Sequence, residues 1–285
     1  MHIYQPIHLP DSDVARRAET IPQLRETAKF FRELSEHYKH MALYDELTGL
    51  PNRHATAAYI DDILTAVRNH DQHLGITDGF LIIACDVDKF KSINDTMGHD
   101  AGDAALKEFS RRLESVVRRR ASANSESHKR HYDAYGIETD LVARHGGEEF
   151  LLILPMQRHM QVTARKIAER IFTTVCDTYD LGNGRYWPMS LSMGMDFITW
   201  LEIDAFIKTF TDGTLDSKNT SLHKFLFDHA DAASYEAKNS GRARAYVCNK
   251  FTKEMNCLHI YAGKVSDAVL AAREAEHIVA SAKHR

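Results

Sequence analysis

Leu141-Val142-Ala143-Arg144-His145-Gly146-Gly147-Glu148-Glu149-Phe150-Leu151-Leu152-Ile153-Leu154 is the stretch that decides the fold. Two apolar, strand-like runs flank a pair of glycines. This predicts two antiparallel strands joined by a tight turn with φ > 0. Two adjacent carboxylates follow, and crowding them is costly unless a cation or a proton offsets their charge. A turn alone needs no acid pair, so carboxylates on a rigid hairpin point to metal-assisted chemistry. The alternative is an exposed acidic turn, which the apolar flanks disfavour.

Upstream, Phe80-Leu81-Ile82-Ile83-Ala84-Cys85 is a continuous apolar run ending at Asp86, as expected of a strand buried on both faces. Helices are expected at Arg53–Arg68, Lys89–Met97 and Gly102–Val117. Downstream, helices are expected at Gln161–Asp177, within 200–228, and at His229–Asn239, stopped by Gly241. Strands are expected at Met189–Phe197, Ala245–Cys248 and Cys257–Tyr261. Alternating strands and helices around a central hairpin indicate an α/β or α+β sandwich with a mixed sheet. A polar, basic loop is read over 118–139. Leu24, Ala28, Phe31, Leu34, Tyr38 and Met41 form a helical stripe within Ile21–Tyr44. It could pack on the chain's own body or on a second copy. The tail from Lys264 to Ala282 reads as a further helix. The expected organisation is an N-terminal segment (1–42), a central domain (43–250) and a C-terminal extension (251–285).

Composition narrows the function. Of 285 residues, 44% are apolar and 27% charged, and the net charge is −4. A mildly acidic chain is not expected to bind nucleic acid or a membrane surface. No apolar run approaches the roughly 20 residues that span a bilayer. Met1–Pro6 has no leader pattern, so a cytoplasmic location is expected. The four cysteines lack metal-type spacing, and Cys85 reads as a buried thiol. His37 and His40 could share a helix face with a metal, but no further ligand recurs nearby.

Four groups could carry chemistry. Asp86 ends a buried strand, where open sheets place ligands. Asp86-Val87-Asp88 offers two carboxylates and an intervening carbonyl, hard oxygen donors suited to Mg²⁺; Asp86 reads equally well as a helix N-cap. Asn94 and Asp103 could read a guanine edge, with helix capping, Asp100 included, as the alternative. Glu148 could join Asp86 on a metal, and Glu149 could accept a proton. Lys238 and Arg242 could grip a triphosphate, or simply place positive charge at a helix C-terminus. Neither glycine-rich nucleotide-binding loop is present, so a nucleotide must be held by metal and side chains.

These residues fall into four ordered blocks. They are Asp45-x-Leu47-Thr48-Gly49-Leu50-Pro51-Asn52-Arg53, Asp86–Asp103, Arg144–Phe150 and Ala230–Arg242. Together they resemble the GGDEF family, the diguanylate cyclases, across about 43–250. The resemblance implies a nucleotidyl-cyclase-like sandwich with a central, mostly antiparallel sheet. It implies that two copies, each holding one GTP, condense them into cyclic di-GMP and pyrophosphate, with Mg²⁺ or Mn²⁺ as cofactor. Asp86, the Val87 carbonyl and Glu148 then correspond to metal ligands, and Glu149 to the proton acceptor. Asn94 and Asp103 correspond to guanine readers, with His99, Gly146 and Gly147 near the nucleotide. Lys238 and Arg242 correspond to phosphate contacts, assisted by Lys91. The N-terminal helix would join the homodimer.

The chain also departs from the family pattern. The family's inhibitory product site carries an Arg where this chain has Ile137, although Asp140 matches. Weak or absent product inhibition is therefore expected. Ser234 and Ala243 replace a usual Leu and Asn. The rival readings are a catalytically inactive nucleotide- or protein-binding module, and a cyclase of altered base choice. Asp103 favours guanine over adenine.

Overall fold

A computed structural model of the chain describes residues 11–69, 78–116, 140–156, 161–211, 221–248 and 255–258. The expected 118–139 loop, Ile137, the polar loop at 212–219 and the helix expected over 264–282 lie outside the described residues. The chain divides into two compact units, Met1–Leu43 and Tyr44–Arg285.

The first unit is helix α1, Asp11–Leu43. It begins ten residues before the expected start at Ile21. Leu24, Phe31, Tyr38 and Met41 of its stripe are exposed. Among the described residues no helix is long and apolar enough to cross a membrane.

The second unit is built on a sheet of described strands in the order β2-β3-β1-β6-β7-β8. These are β1 (Gly79–Val87), β2 (Leu141–Arg144), β3 (Glu149–Met156), β6 (Leu191–Thr199), β7 (Arg244–Cys248) and β8 (Met255–Leu258). Only β6 and β7 pair in parallel; the other pairs are antiparallel. β8 comes from the segment expected to form an extension. A hairpin of β4 (Thr178–Asp180) and β5 (Tyr186–Pro188) forms a second, two-stranded sheet that the sequence reading missed. Each of its strands is only three residues long, too short to show an alternating pattern.

Alternation along β1 sorts the core into two layers. Leu81, Ile83, Cys85 and Val87 pack with α3 (Phe90–Met97), α4 (His99–Val116) and α5 (Gln161–Val175) through Phe90, Ile93, Phe109 and Phe172. Phe80 and Ile82 pack on the other face with α2 (Arg53–Arg68), α6 (Trp200–Thr211) and α7 (Leu222–Asn239) through Tyr59, Ile63, Ile203 and Leu226. By the same parity Asp86 faces the α7 layer. α7 comes close because β6 carries Gly194. A side chain there would strike the backbone at Ala230 and Ser234.

α7 starts seven residues before the expected His229. Ser221 caps it, its Oγ accepting from the Lys224 amide at 3.1 Å. Leu222, Leu226 and Ala230 extend its buried stripe. In the sequence, 222–228 fall within the 200–228 segment read as a helix plus a polar loop, and no separate helix start is expected there. Its C-terminus is as expected: Ser240 is the C-cap and Gly241, at φ 110, follows.

Candidate active site

Asp86 and Glu149 are direct register partners where β1 meets β3. The Val87 amide donates to the Glu148 carbonyl at 3.1 Å, extending that pairing by one step. The hairpin thus lies beside the strand that carries Asp86. The turn itself differs from the expectation. Four residues, His145–Glu148, separate β2 from β3, and the His145 and Gly146 amides both donate to the Glu149 carbonyl, at 2.8 and 3.2 Å. Neither Gly146 nor Gly147 has positive φ. A Cβ at Gly146 would sit 2.6 Å from Glu149 Oε2, so a side chain there would displace that carboxylate. Gly147 has nothing within 4 Å of such an atom.

The arginine beside the turn locks it. Arg144 Nε and Nη2 donate to the Gly147 carbonyl at 3.1 and 2.7 Å, and Nη1 meets Asp45 Oδ1 at 2.8 Å. Asp45 also accepts from the Thr48 amide and hydroxyl. Burial pushes the Asp45 carboxyl up, yet its bonds to Thr48 and Arg144 together hold it below its ordinary range. The turn that opens the second unit is therefore bolted to the hairpin.

The acidic side has the opposite balance. Asp86 is 7% exposed, and Lys238 Nζ lies 2.8 Å from its Oδ2. Burial raises the Asp86 carboxyl despite that ammonium, and the charges of Asp88 and Glu149 push the same way. Burial also raises Glu148, with the Asp86 charge adding to it. Burial draws Lys238 down, but its bond to Asp86 and the charges of Asp86, Glu149 and Glu148 hold it above its usual value. Asp86, Glu148 and Glu149 thus share one ammonium, which suits a site for added positive charge.

A cleft of about 410 Å³ opens here. Asp86, Glu149, Lys238, His145, His223 and Phe227 are among the residues that line it. His145 stacks on His223 with ring centroids 5.4 Å apart, and His145 Nδ1 is buried without a hydrogen-bond partner.

The other candidates lie elsewhere. Asn94 is half-buried on α3, while Asp103 and His99 are exposed on α4. α3 and α4 approach closely because residue 102 is glycine; a side chain there would strike the Asn94 amide and Phe90. Lys91 is exposed on α3. Arg242 is exposed just past α7 at φ 62. The N-cap reading of Asp86 gives way, because the residue lies inside β1 and the N-cap of α3 is Lys89. Asp100 is in the first turn of α4, which starts at His99.

Asp88, read as a second carboxylate for a metal, is occupied otherwise. It accepts from the Ser190 and Ser192 hydroxyls, both at 2.7 Å, and from the Ala243 amide at 2.9 Å. The sequence reading missed this arrangement. Its signal was Ser190-x-Ser192, two hydroxyls set among the apolar residues of a core strand.

Among the described residues no three His, Cys, Asp or Glu side chains form a metal cage. Asp86, Glu148 and a main-chain carbonyl are nonetheless the donor chemistry Mg²⁺ accepts, since it is commonly held by one or two carboxylates plus substrate phosphates. The excess of acid over base around Lys238 fits such an ion.

A family model described as diguanylate cyclase, GGDEF domain, matches residues 42–124. The chain is 31% identical over 232 residues to the response regulator PleD of Caulobacter vibrioides, covering 81% of this chain and 41% of that protein. The chain belongs to the GGDEF-domain family. It is also 30% identical over 228 residues to the probable diguanylate cyclase DgcE of Escherichia coli, covering 80% of this chain and 16% of that protein. This GGDEF chain therefore spans less than half the length of these curated relatives. The solved diguanylate cyclase SiaD of Pseudomonas aeruginosa, in complex with its activator SiaC, aligns with TM-score 0.53 at 26% identity, over 83% of this chain and 74% of that one. The coiled coil and GGDEF domain of DgcB from Caulobacter crescentus, in complex with c-di-GMP, shares the fold at TM-score 0.55 and 22% identity, over 83% of this chain and all of that one.

Proposed function

We propose that the chain is a diguanylate cyclase that condenses two GTP molecules into cyclic di-GMP and two pyrophosphates at the interface of a homodimer. One observation carries the reading: Asp86 and Glu149 stand opposite each other with Glu148 adjacent, and the Lys238 ammonium pairs with Asp86. Asp86, Glu148 and the Val87 carbonyl would hold Mg²⁺, or Mn²⁺. When bound, the ion offsets phosphate charge and acidifies the attacking hydroxyl.

The chain's own groups supply the rest. Asn94 and Asp103 would hold guanine, the carboxylate accepting from its N1–H and amine. His99, Gly146 and Gly147 lie near the nucleotide in this reading, and the open space over Gly147 suits close approach. Lys238 would transfer from Asp86 to the triphosphate, joined by Arg242 and assisted by Lys91. Glu149, on the cleft wall, takes the proton of the 3′-hydroxyl. The α1 helix would pair two copies, so that each nucleotide meets the other at high effective concentration.

Incubating the purified full chain with GTP and Mg²⁺ tests the proposal. Cyclic di-GMP and pyrophosphate are expected in a 1:2 ratio. A folded dimer that binds GTP and yields no product would favour a nucleotide-binding module instead.

A further inference from the structure

Asp88 is 6% exposed and joins three separate segments. Its Oδ1 accepts from Ser192 Oγ, and its Oδ2 accepts from both Ser190 Oγ and the Ala243 amide. Its own amide donates to the Ser190 carbonyl at 2.9 Å. The end of β1, the start of β6 and the loop after α7 therefore meet on one side chain.

That loop is held in an uncommon shape. Gly241, Arg242 and Ala243 have φ of 110°, 62° and 47°. Two consecutive non-glycine residues in the left-handed region persist only where the surroundings impose them. The restraints are visible: the Arg242 amide donates to the Ala237 carbonyl at 2.9 Å, and the Ala243 amide donates to Asp88. Arg244 Nε, bonded to the Arg242 carbonyl at 2.9 Å, closes the loop. On the other side, Lys89 directly follows Asp88 and is also left-handed, at φ 59. Two strained turns, one leading into Lys91 and the other carrying Arg242 just beyond Lys238, thus share one buried anchor.

We propose that Asp88 is a positioning residue for triphosphate recognition, fixing the Gly241–Ala243 loop so that Arg242 and Lys238 address the nucleotide's phosphates. This rests on the nucleotide reading above. Three donors on two oxygens suit a carboxylate. An asparagine can still serve Ser190 and Ala243 with its carbonyl oxygen while its amide donates to the Ser192 hydroxyl. Alanine leaves the half-buried Ala243 amide without this partner.

The test measures binding of two probes to the full chain in Mg²⁺: the α,β-methylene analogue of GTP, and GMP, which lacks the outer phosphates. Asp88→Ala is expected to weaken the analogue about tenfold, one lost charge-assisted hydrogen bond's worth of restraint, with GMP binding within about twofold of wild type. Asp88→Asn should bind nearly as wild type. Ala243→Gly, added to Asp88→Ala, should restore part of the loss, because glycine adopts φ > 0 without strain. Equal weakening of both probes, or no weakening of either, overturns the proposal. Should Asp88→Ala fail to fold, amide exchange of the unaltered chain decides: a protected Ala243 amide supports the anchor, and free exchange there refutes it. A wild-type chain that binds neither probe sinks the nucleotide reading, while Ala243 exchange still judges the anchor separately.

Discussion

The two flanks of the hairpin are built on opposite principles. On the Arg144 side every charge has a partner: guanidinium, Asp45 carboxylate, Gly147 carbonyl and Thr48 donors close on one another. On the Asp86 side three carboxylates share Lys238, and two of them are raised by burial and by each other. The first flank is arranged for stability. The second holds unbalanced charge that the fold alone does not need, which is where the proposed chemistry would sit.

The strongest way to break this contrast is to neutralise the Asp86 side. Asp86→Asn should cut cyclic di-GMP formation on the order of a thousandfold, and Glu149→Gln roughly 10²–10⁴-fold. A folded-state carboxyl raised above its unfolded value loses stability as pH climbs through that raised value. Without divalent ions at neutral pH, Asp86→Asn should therefore melt no lower than wild type, and it should lose any stabilisation by Mg²⁺. A variant that melts well below wild type and still responds to Mg²⁺ would show that Asp86 is a structural residue.

Next comes the paired flank. Arg144→Ala strips partners from Asp45 and from the Gly147 carbonyl, costing about 2 kcal/mol. For a unit of this size that lowers Tm by roughly 4–8 °C. Thermal melting checks it; an unchanged Tm would mean the clamp is ornamental.

A smaller effect comes from the stacked histidine pair that lines the same cleft. Burial, with the nearby His145 charge, lowers the His223 imidazole below its ordinary value, and Asp228 opposes this weakly. The folded state then binds fewer protons than the unfolded chain just below about pH 6.5. Its contribution is complete above that pH and is lost as pH falls through the lowered folded value. Melting temperature should drop between about pH 7 and 5, and His223→Phe should flatten that slope. Identical slopes in both proteins would exclude His223 as the cause. The smallest expected effect is at Asp140: with Ile137 standing where the family's product site carries an arginine, Asp140→Ala should leave inhibition by cyclic di-GMP unchanged, read from initial rates with added product.

Much of the fold was legible because its signals are local. The apolar run ending at Asp86, the double-glycine bend and the Gly241 stop each sit inside one short window. The two-layer core follows from alternation along β1. What stayed hidden depended on partners far apart in sequence. Asp88 looks like a ligand until Ser190, Ser192 and Ala243, more than a hundred residues away, fold against it. Arg144 reads only as the start of the hairpin block until Asp45 arrives, 99 positions upstream. The β4–β5 hairpin is too short to announce itself, and the polar spacers of α7 concealed its first two turns.

Parity in β1 has a last consequence. Asp86 reaches α7 because it lies an even number of steps from Phe80, on the same face of the sheet. Inserting a single residue anywhere between them would swing the acid into the opposite layer, among Phe90 and Phe109. The strand should therefore tolerate exchange of one aliphatic side chain for another far better than any change in its length, and residue count, more than residue identity, guards the placement of Asp86.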